Sequence, residues 1–69
     1  MKLYFENSRG QRRIIAEPQT EDEVWDEIRN FCNDRNFVIP YVRSWQDPDG
    51  LKWYDVSSHS EYFILDERN

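Results

Sequence analysis

The sequence predicts an α+β fold in the order ββαβββ, with one helix packed on a mainly antiparallel five-stranded sheet. Three observations predict it: two short alternating segments at the N-terminus, one amphipathic segment with helix-capping residues, and aromatic-rich segments separated by turn sequences. A chain of 69 residues predicts one small two-layer domain over residues 1–69. The pattern leaves the order of the strands in the sheet open.

The first two strands are predicted over residues 2–6 and 11–17. Apolar and polar residues alternate in the first segment, and the second is centred on Ile14-Ile15-Ala16. Between them, Asn7-Ser8-Arg9-Gly10 has the composition of a tight turn. Pro18 ends the second strand because proline cannot donate a hydrogen bond to a neighbouring strand. The two segments therefore predict a hairpin.

The helix is predicted at residues 21–34. Thr20 and Glu23 have the spacing of a capping box, in which each side chain bonds the backbone amide of the other residue. Asn36 is suited to the left-handed conformation that closes many helices. The stripe that would face the sheet consists of Val24, Ile28, Phe31 and Arg35, flanked by Trp25 and Cys32.

Three further strands are predicted over residues 37–46, 51–56 and 61–65. Pro40 indicates an edge position, a bulge or an irregular start for the first of them. The sequence Asp47-Pro48-Asp49-Gly50 favours a type I turn with a positive φ at the glycine. The third and fourth strands should therefore form a second hairpin.

Charge and composition limit the classes of partner. The net charge of −5 disfavours nucleic-acid binding, which needs basic side chains to neutralise phosphates, and disfavours anionic membranes. No apolar stretch approaches the roughly 20 residues of a membrane span. The single cysteine, Cys32, excludes an intrachain disulfide and a cysteine-based zinc site. We therefore expect a soluble protein of a reducing cytoplasm.

Three Trp, four Tyr and four Phe exceed what one short helix can cover. Trp, Tyr and Arg dominate the energetics of protein interfaces. We therefore predict a partner-binding surface, for another protein or a second copy, formed by Tyr41, Arg43, Trp45, Trp53 and Tyr54. The alternatives are aromatic pairs that only stiffen the sheet, or a surface on which single-stranded nucleic acid stacks.

No motif for catalysis, metal binding or phosphate binding stands out. Residues 55–61 include Asp, Ser, His and Glu, but neighbours in sequence rarely form a catalytic triad. The acidic helix start, residues 21–27, lacks the spacing of a calcium loop. We expect no enzyme activity, no cofactor and no metal.

The segment Trp53-Tyr54-Asp55-Val56-Ser57-Ser58-His59-Ser60-Glu61-Tyr62-Phe63 resembles a segment near the C-terminus of small uncharacterised proteins from tailed phages and prophages of Gram-positive bacteria. The resemblance implies a phage origin and a site of action in the bacterial cytoplasm, and it implies no activity or cofactor. Ser57 stands where that family has glycine. Side chains of Asp55, Ser58, His59 and Glu61 could form a hydrogen-bonded knot between the last two strands, a structural role rather than a binding site.

These observations favour a non-enzymatic phage accessory protein that binds another protein or forms a homodimer. The alternative is an anti-defence inhibitor that occludes a host immune protein with its acidic helix start. A third possibility is a module that binds single-stranded nucleic acid.

Overall fold

The computed structural model describes residues 1–35, 43–55 and 61–68, in which one helix packs on a five-stranded antiparallel sheet. The elements are β1 (Lys2–Glu6), β2 (Arg12–Ala16), α1 (Glu21–Asp34), β3 (Arg43–Gln46), β4 (Lys52–Asp55) and β5 (Tyr62–Asp66). The strand order across the sheet is β2-β1-β5-β4-β3, so β2 and β3 are its edges among the described strands. The predicted fold class is confirmed.

The predicted element boundaries differ from the structure mainly at strand ends. The helix begins and ends where the sequence predicts, and β1 has its predicted length. The other strands are shorter or shifted by a residue. Of the predicted strand 37–46, only Arg43–Gln46 falls within the described residues. The predictions for Asn36, Pro40 and residues 56–60 lie outside them.

The helix begins at the predicted capping box. Glu23 N donates to Thr20 Oγ1 over 3.2 Å, and Thr20 N donates to Glu23 Oε2 over 3.2 Å. The pair satisfies amides that have no partner inside the helix. At the other end, Arg35 closes the helix by donating its backbone N–H to the carbonyl of Cys32 over 3.2 Å.

The turns of the two hairpins have the same pattern of hydrogen bonds. Asn7 Oδ1 accepts from the amides of Arg9 (2.9 Å) and Gln11 (3.0 Å), and Gly10 N donates to the carbonyl of Asn7. Asp47 makes the same contacts in the second turn. Its Oδ1 accepts from the amides of Asp49 and Leu51, and its carbonyl accepts from Gly50 N. The glycine of each turn has a positive φ, 78° at Gly10 and 87° at Gly50, as the sequence predicts.

The core lies between the helix and one face of the sheet. Phe31 of α1 sits between two strands, with ring centroids 4.6 Å from Phe5 and 5.4 Å from Phe63. Burial raises the pKa of the Cys32 thiol, which is fully enclosed here. The buried core residues are Leu3, Phe5, Val24, Ile28, Cys32, Tyr54, Phe63 and Leu65. One compact layer of contacts thus joins the helix to the three central strands.

Strand β2 contains a register shift of the β-bulge kind. Leu3 pairs with Ala16, whereas Tyr4 pairs with Ile14, so Ile15 is the extra residue. After the shift, Arg13 pairs with Phe5 and therefore lies on the helix side of the sheet. In a regular strand, residues three positions apart lie on opposite faces. Because of the bulge, Arg13 and Ala16 both lie on the helix side.

Candidate functional site

The outer face of the sheet, the face turned away from α1, carries a continuous apolar row. One residue from each strand contributes to it, and neighbours in the row are cross-strand partners. In spatial order the row is Ile14, Tyr4, Ile64, Trp53 and Trp45. Its middle is enclosed, since Ile64 is fully buried, but its ends are not: Ile14 is 48% exposed and Trp45 is 41% exposed. The row therefore presents apolar surface at both edges of the sheet.

Three rings cluster at the β3 end of this row. Trp45 and Trp53 stack nearly parallel, with centroids 6.1 Å apart and planes inclined by 13°. Tyr62 meets both edge-on, at 5.9 Å from Trp45 and 5.5 Å from Trp53. We call these three residues the outer aromatic cluster. Each ring contacts the other two, and these contacts restrict the rotamers open to each side chain.

Two ion pairs flank the outer aromatic cluster. Arg43 Nη2 lies 3.0 Å from Oδ2 of Asp55, which is fully buried, while the Arg43 side chain is 60% exposed. On the other side, Arg12 Nη2 lies 3.1 Å from Oε1 of Glu6. The Arg43 guanidinium is 6.0 Å from the Trp45 ring, and that of Arg12 is 5.6 Å from the Trp53 ring. The rings are thus bordered by oriented cationic groups.

The turn before β4 also orients the cluster. Trp53 Nε1 donates to Oδ2 of Asp47 over 2.8 Å, which fixes the plane of the indole. This hydrogen bond, with those from the amides of the turn, holds the pKa of Asp47 below its ordinary value. Asp47 therefore stabilises the turn through Oδ1 and orients the Trp53 ring through Oδ2.

The structure brings together three of the five predicted partner-binding residues. Arg43, Trp45 and Trp53 lie side by side on the outer face. Tyr41 lies outside the described residues. Tyr62 and Arg12 were not predicted to join this surface; the alternation in 61–65 separates Tyr62 from the core residues, but only the central position of β5 brings it beside Trp53.

The structure places Tyr54 in the core rather than on the predicted partner-binding surface. It is 2% exposed and lies on the helix side, where its ring meets Trp25 edge-on at 5.2 Å. Successive residues of a strand point to opposite faces, so Tyr54 cannot share the outer face with Trp53. Its hydroxyl has no hydrogen-bond partner among the described residues, and burial raises its pKa. Tyr54 is a core residue.

The predicted knot around Asp55 is described only in part. Asp55 is fully buried and paired with Arg43, whereas Ser58 and His59 lie outside the described residues. Within the described ranges, no group of three or more His, Cys, Asp or Glu side chains is placed to hold a metal ion. In the same ranges no helix is long and apolar enough to cross a bilayer.

Comparison of the chain with family models, curated proteins and solved structures found no match. The outer face is therefore interpreted from its own geometry.

Proposed function

We propose that this protein is a non-enzymatic binding module that docks on another protein through the outer aromatic cluster. The observation that supports it best is the position of Trp45. This indole is 41% exposed on an edge strand, yet it is held between the parallel ring of Trp53 and the guanidinium of Arg43. A large exposed ring that the fold holds rigid is typical of an interface anchor.

The contacts among the three rings reduce the entropic cost of docking. Binding orders side chains at an interface, at a cost of about 0.5–1.5 kcal/mol for each flexible one. Trp45, Trp53 and Tyr62 contact one another already, so little freedom remains for them to lose. Docking through these rings would then lose less free energy to side-chain ordering than docking through flexible side chains.

The surroundings of the cluster suit a protein partner better than a nucleic acid. Arg12 and Arg43 are paired with carboxylates, so neither is available at full charge to neutralise a phosphate. An apolar centre bordered by polar groups is the usual anatomy of a protein interface. The net charge of −5 favours a partner with a basic rim.

On the basis of the resemblance to phage proteins, we further propose that this binding takes place in the cytoplasm of an infected bacterium, with a phage protein, a host protein or a second copy as the partner. The anti-defence alternative uses the acidic helix start instead. There Glu23 serves the helix cap, and Glu21 and Asp26 pair with Lys52 and Arg29. Three of its acids thus already have partners within the chain, and we prefer the outer face.

The decisive experiment compares the wild type with Trp45→Ala and a matched control, Ser44→Ala. Ser44 neighbours Trp45 on β3, is also exposed, and lies on the opposite face. Light scattering after size exclusion, over a range of concentrations, tests for a homodimer. Affinity capture from infected cells, with each variant as bait, tests for a different protein.

Support would be a dimer or a captured protein that Trp45→Ala loses and Ser44→Ala keeps. The proposal is overturned when Trp45→Ala binds as the wild type does. Binding of a single-stranded oligonucleotide that weakens steeply with salt would instead favour the nucleic-acid alternative.

A further inference from the structure

A second site lies on the other side of the sheet, where two arginines converge on one phenylalanine. The guanidinium carbon of Arg13 is 5.9 Å from the centroid of Phe31, and that of Arg35 is 4.6 Å from it. Arg35 is also 5.7 Å from the ring of Phe5. Two like charges therefore share one aromatic surface at the C-terminal end of the helix.

The backbone fixes both arginines there. The register shift in β2 turns Arg13 to the helix side, opposite Phe5. Arg35 is the residue at which α1 ends, and its backbone amide is bonded to the carbonyl of Cys32. The stems of both side chains start from ordered backbone, one on the sheet and one on the helix. The fold therefore brings two exposed arginine side chains to the same end of the helix layer.

Neither arginine has an acidic partner in the part of the chain that the structure describes. Among the described residues, Arg12, Arg29, Arg43 and Arg68 each pair with a carboxylate, whereas Arg13 and Arg35 lie within ion-pair distance of none. Arg9 likewise has no ion pair among the described residues, so what distinguishes Arg13 and Arg35 is that both also lie beside the Phe31 ring. Contact with an aromatic face leaves the N–H edges of a guanidinium free, and those edges match the oxygens of a carboxylate or phosphate.

A concavity of about 270 Å³ opens beside the two guanidinium groups, lined by Phe5, Gln11, Arg12, Arg13, Arg35 and Glu61 among others. Gln11 Oε1 already accepts from Asn7, so its amide nitrogen remains as a donor at this site. Asp34 lines a second, more open depression together with Arg13 and Arg35. The acids around the site are thus Glu61 and Asp34, and neither is paired with either arginine.

We infer that this concavity binds a single small oxyanion, a carboxylate or a phosphate, held between the N–H groups of Arg13 and Arg35. A concavity of about 270 Å³ has room for one oxyanion or one acidic side chain. Arg12 lines this concavity and also borders the outer aromatic cluster, but Arg13 and Arg35 lie beside Phe31 on the helix side, so the inference does not depend on the proposed role of the cluster.

The test is an NMR titration that follows the backbone amides and the Nε–Hε groups of the arginines. Inorganic phosphate and acetate are the two probes, and sodium chloride at equal ionic strength is the reference. The variants are Arg13→Gln and Arg35→Gln. Arg29→Gln is the matched control, because Arg29 is exposed on the same helix and is paired with Asp26.

The expected result is a saturable shift centred on Arg13 and Arg35, at least tenfold weaker in either variant and unchanged in Arg29→Gln. The stronger probe shows whether the natural anion is a phosphate or a carboxylate. Arg13→Lys and Arg35→Lys keep the charge without the planar fork, so weakened binding in these folded variants supports the geometry. Shifts that chloride reproduces, or that Arg13→Gln and Arg35→Gln retain, overturn the inference.

Discussion

Trp53 is tied to the turn that precedes its own strand, because its indole N–H donates to Asp47 Oδ2 over 2.8 Å. In the other hairpin, Asn7 performs the same role in the turn and bonds Gln11 with its amide nitrogen instead. The second side-chain atom differs between the two turns: Asp47 Oδ2 accepts from an indole N–H, whereas Asn7 Nδ2 donates to Gln11 Oε1. An aspartate is needed where an indole N–H approaches.

Asp47→Asn should lower stability more than Asn7→Asp. The new amide keeps the oxygen that accepts from the amides of Asp49 and Leu51, but its nitrogen cannot accept from Trp53. Urea unfolding followed by tryptophan fluorescence measures both variants. Equal loss in the two would mean that the bond to Trp53 contributes nothing.

The contribution of Asp47 should also depend on pH. Its pKa is lower in the folded state, so its stabilisation is fully present above the unfolded value of about 3.9 and is lost as pH falls through the folded value. The difference in urea midpoint between the wild type and Asp47→Asn should therefore shrink in strongly acidic solution. A difference that stays constant across this range contradicts the assignment.

Tyr54→Phe should leave the protein as stable or raise its stability by about 1 kcal/mol, because the hydroxyl is buried without a hydrogen-bond partner among the described residues. Burial raises the pKa of Tyr54. Its contribution is therefore fully present below the unfolded pKa near 10 and is lost as pH rises through the folded value. The variant should resist alkaline unfolding better than the wild type. A loss of more than about 1 kcal/mol on removing the hydroxyl would show that it has a partner.

Arg43→Gln should destabilise the fold by about 1–2 kcal/mol, because it removes the cation beside the fully buried carboxylate of Asp55. The cost stays below that of a wholly enclosed pair because solvent reaches the arginine. Arg12→Gln serves as the comparison and should cost about 0.5 kcal/mol or less, because the carboxylate it leaves behind, that of Glu6, is partly exposed to solvent whereas that of Asp55 is not. Chemical denaturation of the two variants checks the order, and a reversed order would contradict it.

Thr20→Ala should cost about 1 kcal/mol, since the N-terminal amides of α1 lose the acceptor that Thr20 Oγ1 provides. Thr20→Ser keeps an oxygen at that position and should behave as the wild type. Thermal unfolding followed by circular dichroism compares the three proteins. If the serine variant were as unstable as the alanine variant, the cap would not be the cause.

Local signals made the helix and the turns predictable. Thr20 and Glu23 define the helix start through neighbours in sequence, and Gly10 and Gly50 mark the turns for the same reason. The surface was harder to predict. Alternation separates Trp53 from Tyr54, but both are aromatic, and only the tertiary position of α1 decides which of them becomes core.

The contacts that the sequence did not predict also depend on tertiary structure. Tyr62 joins the outer aromatic cluster because β5 lies at the centre of the sheet, an order that depends on long-range pairing. Arg13 reaches Phe31 because of a one-residue shift in β2 that no turn or capping residue marks. Strand order and bulge position are set by packing over the whole sheet, so single-sequence patterns carry little information about them.

The register shift at Ile15 has a consequence for how copies of this protein can meet. Edge-to-edge growth into a fibre needs two straight edges, since every copy must offer one side and accept on the other. Strand β3 pairs regularly along its length, whereas β2 is kinked by its extra residue and carries Arg12 and Arg13. Because the register shift interrupts the regular edge of β2, we expect edge-to-edge association to stop after a single contact, which would protect the chain against open-ended polymerisation.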